Sequence, residues 1–226
     1  MKMKMKKVFL VAIAIVSQAT FAQVTKKLGE FNSLKVFDKL TVKLIASNEN
    51  KAVISGDKEK EVEVVNNNGE LKLRMPLKQM LSGDAVTIKL YYKNIDEISA
   101  TEGSSVSSDA VFKQTIFDLS VKEGAKINLK VDAQKVNVKA VTGGIIELSG
   151  EAVNQDVIIM SGGVLKSKNL HTSQTTVSLS AGGNAEINAS TLVDAKVKAG
   201  GTVSIYGKPK QINQETILGG KIEEKE

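Results

Sequence analysis

The chain has 226 residues, 42% of them hydrophobic and 25% charged, enough for a packed core in one large domain or two small ones. It has no Cys, no Trp and one His, at 171. A disulfide scaffold, thiolate metal sites, thiol catalysis and any site needing two imidazoles from one chain are therefore excluded.

Residues 1–22 read as an export leader rather than as fold. Lys2, Lys4, Lys6 and Lys7 form a positive start, and Val8 to Val16 is an unbroken apolar run. That run is too short for a membrane span of about 20 residues. Thr20-Phe21-Ala22 follows as a small-residue cleavage site, so Gln23 is the expected mature N-terminus. Removing four lysines and no acids leaves 27 basic against 25 acidic residues, so +6 becomes about +2. The basic footprint expected of a nucleic-acid binder is lost. Arg74 is the only arginine, which leaves little for bidentate phosphate recognition.

Residues 23–95 are expected to be an irregular β segment that caps the more regular remainder of the chain. Val36 to Ile45 alternates weakly, and Glu61 to Met75 is two alternating runs around Asn68-Gly69, a strong hairpin signal. Met75 to Gly83, with Pro76, breaks the pattern as a loop or short helical turn. Ala85 to Tyr92 is a strand with Val86, Ile88 and Leu90 on one side.

From 96 to 222 the chain repeats. Glycines stand at 103, 124, 143, 162, 182, 200 and 219, in steps of 21, 19, 19, 20, 18 and 19. A second glycine follows in the last five. Five residues before the glycines stand Ile98, Leu119, Val138, Val157, Val177 and Ala195. Three before stand Ala100, Val121, Ala140, Ile159, Leu179 and Val197, and three after stand Val106, Ile127, Ile146, Leu165, Ala185, Val203 and Ile222. Odd offsets are apolar and even ones mostly polar, the signature of strands with one buried side. No single copy can bury that side alone, so the copies must stack. A parallel β-solenoid does this with glycine at the rung corners. Seven rungs give a length of roughly 30 Å. Glu147, Lys166 and Glu186 then form an outward ladder of alternating charge. Repeat strength fades at Glu215 and Thr216, and the charged tail 223–226 is expected to cover the last rung and block end-to-end association.

The repeat carries few residues with catalytic chemistry. No phosphate loop, dinucleotide fingerprint, metalloprotease pair or nucleophile elbow is present. His171 reads as a surface loop residue without partners in register. Glu102 and Glu123 each precede a corner glycine and should stack on adjacent rungs, where two carboxylates could hold a hard cation or share a proton; with no Asp-rich loop around them and Lys122 and Lys126 nearby to neutralise the spot, they read as solvated surface. Carbohydrate-active β-helices need acids on neighbouring rungs, and no column is expected to hold two acids with a base. The mature aromatics Phe31, Phe37, Tyr91, Tyr92, Phe112, Phe117 and Tyr206 read as scattered, with Tyr206 capping the last rungs.

Several motifs together resemble the GIN head domain family of putative autotransporter adhesins. They are Phe31 to Val36, Val53-Ile-Ser-Gly56, the hairpin Val62 to Leu73, and Val86 to Leu90 leading to Ile98 and Gly103-Ser104. The corners Ser161 to Gly163 and Ala181 to Gly183 come next. The closing Val203-Ser-Ile-Tyr206-Gly207-Lys-Pro209 with Gly219-Gly220-Lys-Ile222 is the most specific part. The resemblance covers residues 28 to 222. It implies an all-β, right-handed single-stranded parallel β-helix in a secreted envelope protein. Unlike many members, this chain has no Cys after the leader for a lipid anchor.

The expectation is an exported protein of the periplasm, outer surface or medium, acting as a non-enzymatic binding or adhesion module. Its partner is an envelope component, glycan or protein; it does not span the membrane after cleavage, and a homo-oligomer is compatible. No catalytic, cofactor-binding or metal residue is assigned. A carbohydrate-acting enzyme and a purely structural subunit are the alternatives. Two carboxylates within about 10 Å in one pocket would favour the enzyme, and a flat uncharged patch would favour assembly.

Overall fold

The computed structural model describes residues 23–226; the expected leader, residues 1–22, lies outside the described residues. All strands belong to one sheet. In chain order they are β1 (Gln23–Lys27), β2 (Ser33–Val36), β3 (Thr41–Ala46), β4 (Lys51–Gly56), β5 (Glu63–Asn67), β6 (Glu70–Arg74), β7 (Val86–Tyr92) and β8 (Glu97–Ala100). Five long strands come next: β9 (Ser105–Val121), β10 (Lys126–Val141), β11 (Ile145–Met160), β12 (Val164–Ser180) and β13 (Asn184–Lys198). The chain ends with β14 (Thr202–Tyr206), β15 (Gln211–Ile217) and β16 (Lys221–Glu224). From β8 onward every pairing is parallel, with equivalent residues of successive copies in register. The protein is a parallel β-solenoid of about seven glycine-cornered coils.

Each long strand serves two faces. In β10 the alternation of buried and exposed residues holds from Ile127 to Ala133; Gln134 and Lys135 then both face out, and alternation resumes at Val136. Two consecutive outward residues are a second corner, so the half after each glycine lies on a first face and the half before the next glycine on a second. Inward columns from both faces fill one core, with Ile127, Ile146, Leu165, Val138, Ile159 and Leu179 all at most 3% exposed.

The two glycines of a corner have different reasons. Ser161 and Gly162 have φ of 51° and 78°, two successive left-handed residues as in a type I′ turn. A Cβ on Gly162 would meet nothing within 4 Å, so its glycine serves the backbone angle alone. A Cβ on Gly163 would lie 2.2 Å from the Ala140 carbonyl oxygen, so its glycine lets the coil approach the one beneath. The first two corners fill that second place with Ser104, which donates to the Val36 carbonyl oxygen at 3.0 Å, and with fully buried Ala125.

The front residues join the same stack. β2 pairs in parallel with both β6 and β8, and β3 with both β7 and β9. Two further parallel coils, β6–β7 and β2–β3, therefore lie beneath the first glycine coil, out of sequence order. Leu71, Leu34, Ile98 and Leu119 form one column across the boundary at 95, and one hydrophobic cluster runs from Phe31 to Ile205. Beyond β6–β7 the direction reverses: β5 is antiparallel to β6, β4 to β7, and β1 to β4. The β5–β6 hairpin turns at Asn68-Gly69 (φ 50° and 88°). Residues 77–79 form the short helical turn expected near Pro76.

The C-terminal residues form another coil of the same kind. β15 pairs in parallel with β13, and β16 with β14. Gln214 and Thr216 stand in register with inward Ala195 and Val197, but both are exposed in this last coil. Glu215, expected among the inward positions, instead faces out and pairs with Lys196. Glu147, Lys166 and Glu186 do stack in register.

Candidate functional site

Six residues before each corner glycine, on the second face, one outward column runs through Glu97, Asp118, Asn137, Asp156, Thr176, Asp194 and Asn213. Parallel register places these side chains about 4.8 Å apart from coil to coil. Every member except Thr176 is an acid or an amide. Neighbours hold the first four in place. The Ser33 hydroxyl donates to Glu97 Oε2 at 2.9 Å, Asn137 Nδ2 donates to Asp118 Oδ1 at 2.7 Å, and Lys135 Nζ lies 2.6 Å from Asp156 Oδ2. With Ser120, Lys139 and the 45% exposed Ile158, the first four members line an open groove of about 360 Å³. The column itself holds acids and amides and no base, in line with the expectation that no column holds two acids with a base; Lys135 and Lys139 flank it from neighbouring columns. The column stands at an even offset from the corner glycines, between the odd, apolar inward positions.

Glu102 and Glu123 stand on adjacent corners as expected, both with left-handed backbone (φ 55° and 52°). The Asp38 amide donates to Glu102 Oε2 at 3.2 Å, and the Thr101 hydroxyl to Glu123 Oε2 at 3.1 Å. Burial first, and then the charge of Asp38, push the Glu102 carboxyl above its ordinary range. The cation lining this hollow is Lys39 rather than Lys122 or Lys126. Asp38 itself is 3% exposed and accepts the Met75 amide at Oδ2 and the Leu81 amide at Oδ1, each at 2.9 Å. These contacts make Asp38 the anchor of the 75–85 loop. Among the described residues no cluster of three or more His, Asp or Glu side chains is arranged to hold a metal ion.

His171 lies on strand β12, not in a loop, and does have partners in register: Glu151 on one side and Asn188 on the other, with Asp132 one coil beyond. The aromatics are also less scattered than their spacing suggests. Tyr92, Phe112 and Phe117 stack inside the core with centroids 5.3 and 5.0 Å apart, where they fill volume and offer no platform. Half-buried Tyr206 pairs in register with Asn188, and β16 lies over its strand.

The chain matches the family described as "Putative auto-transporter adhesin, head GIN domain" over residues 30–209. No curated protein matches it. A solved putative adhesin from Bacteroides fragilis superposes with a TM-score of 0.82 at 18% identity, covering 92% of this chain and 98% of that one. A putative adhesin from Parabacteroides distasonis gives 0.71 at 17% identity over 91% and 97% of the two chains. A protein from the same species described as a putative lipid binding protein gives 0.66 at 13% over 91% and 96%. At such identities the likeness establishes the fold alone. The match over residues 30–209 goes further: the chain belongs to the head GIN domain family of putative auto-transporter adhesins.

Proposed function

We propose that the protein is exported to the cell envelope and works there as a non-enzymatic binding module, holding an extended, hydroxyl-rich envelope chain along its second face. Export is supported by the charged and apolar order of residues 1–22 and by the family's adhesin description. No helix among the described residues is long and apolar enough to cross a membrane. The observation that carries the reading is the column from Glu97 to Asn213. It offers a hydrogen-bonding group on each successive coil, held by a rigid core. Carboxylate and amide oxygens accept from hydroxyls, and the amides of Asn137 and Asn213 also donate. A glycan array probed with the exported protein tests this. Envelope glycans should be retained, and Asp118→Ala with Asp156→Ala should weaken retention at least tenfold with the fold intact. Equal retention by that double variant rules the column out as the binding surface.

One observation favours a second reading. Register sets Glu97 and Asp118 about 4.8 Å apart, and Asp118 and Asp156 about twice that. Those spacings approach the separations of retaining and inverting glycosidases. Shortened products released from a bound glycan by the native chain, and not by Asp118→Asn, would establish catalysis.

A further inference from the structure

The two ends of the solenoid are built differently, and we propose that the C-terminal end is an interface for a second copy of this chain, joined tail to tail about a two-fold axis. At this end β15 on the second face and β16 on the first meet at the 218–220 corner on one level. The Lys221 amide donates inward to the Gly201 carbonyl oxygen and the Lys225 amide inward to that of Ile205. By strand alternation the amides of Ile222 and Glu224 point away from the stack. Nothing among the described residues covers them, and no proline or bulge blunts this edge.

The corner of that coil is also unlike its predecessors. Its first left-handed position holds Leu218, 85% exposed with φ of 57°, beside the 37% exposed Ile217. Earlier coils place Glu102, Glu123, Thr142, Ser161, Ala181 and Ala199 there. A branched residue in that conformation is unfavourable, and an exposed one gains nothing from the monomer's core. A two-fold axis through the corner, perpendicular to the stack, brings Leu218 against Leu218 of the second copy. It lays β16 antiparallel on the second copy's β15 and the reverse, so both edges are satisfied at once. Half-buried Ile212 and Ile222 would then close the core against their counterparts. Residues 208–226 carry four lysines and four glutamates, so net charge does not oppose the contact. The expectation that the charged tail blocks association counted its charges without their pairing: Lys221 and Lys225 both bind Glu223, holding its carboxyl down to about 2. Head-to-tail stacking is disfavoured by shape, because β1 raises the other end by one strand on the first face only.

The chain has no cysteine, which makes cross-linking specific. The test uses the full chain expressed with its leader and purified from the exported fraction. Sedimentation should give a concentration-dependent dimer. Leu218→Cys should cross-link to a dimer on mild oxidation, and Lys58→Cys, at the opposite end, should not. Leu218→Gly, which relieves the backbone strain, and Glu224→Pro, which removes an outward amide, should each weaken the dimer at least tenfold with unchanged circular dichroism. A monomer at all concentrations, cross-linking through Lys58→Cys, open-ended polymers, or a dimer indifferent to both edge variants would each overturn the proposal.

Discussion

The glycine-cornered coils and the front residues 23–95 obey the same stacking rule by different local means. A repeat corner needs two left-handed residues, and Ser161-Gly162 supplies them with one glycine. The equivalent front corner is Asp38-Lys39, with φ of 57° and 62° and no glycine at all. It is held from outside. The Lys39 amide donates to the Glu102 carbonyl oxygen at 2.9 Å, and the Asp38 carboxylate ties the corner to Met75 and Leu81. The difference teaches that the repeat in the sequence records the corners, while the fold depends on the inward columns, which cross from one region to the other unbroken.

The strongest way to break that equivalence is to put a charge into the shared core. Ile159→Asp in the repeats and Leu71→Asp in the front should each cost at least about 3 kcal/mol, because both sites are fully buried. Ser178→Asp, on an outward position, should cost under about 0.5 kcal/mol. Urea unfolding reads all three, and a Leu71→Asp protein that keeps full stability would show the front to be an appendage.

The two glycines of one corner sharpen the comparison further. Gly163→Ala should cost more than about 2 kcal/mol through overlap with the Ala140 carbonyl, and Gly162→Ala only about 1 kcal/mol through its backbone angle. Equal losses in thermal unfolding would contradict the separate roles. In the front, Asp38→Ala strands the amides of Met75 and Leu81, at about 2 kcal/mol. Limited proteolysis should then cut first between 75 and 85. Lys39→Gly works the other way, with a gain of up to about 1 kcal/mol from relief of a left-handed lysine.

The smallest effect is a pH dependence at Glu102. Its carboxyl titrates above the ordinary value in the folded chain, because burial and Asp38 disfavour its charge. The folded state thus holds a proton that the unfolded state has already released. The resulting cost is fully present above the folded value and fades as pH falls to the ordinary carboxylate value of 4.5. Glu102→Gln should raise Tm at pH 7 by less than about 4 °C, with the gain vanishing near pH 4. A gain that grows on acidification would reverse the sign and refute the assignment.

Much of this fold was legible because parallel stacking copies its constraints from coil to coil. Ile127, Ile146 and Leu165 occupy one place, and the corner glycines mark the period. The β5–β6 turn was legible for a local reason, since Asn68-Gly69 suits two left-handed residues. The front coils were not, because β6–β7 pairs with the earlier β2–β3 out of chain order and its corner is a loop pinned by one buried carboxylate. The second corner was hidden as well: Gln134-Lys135 is marked only by a slip in alternation. The column from Glu97 to Asn213 lay in the alignment, yet acids and amides at outward positions look like ordinary solvated surface until register lines them up.

Hydrogen exchange under native conditions tests the continuity of the stack most directly. If the front coils and the glycine-cornered coils form one cooperative unit, the core amides of β2 and β6 exchange as slowly as those of β10 and β11, within about tenfold, by global unfolding. Exchange of β2 and β6 more than about a hundredfold faster, with β10 and β11 still protected, would show a separately unfolding cap and contradict the single continuous solenoid.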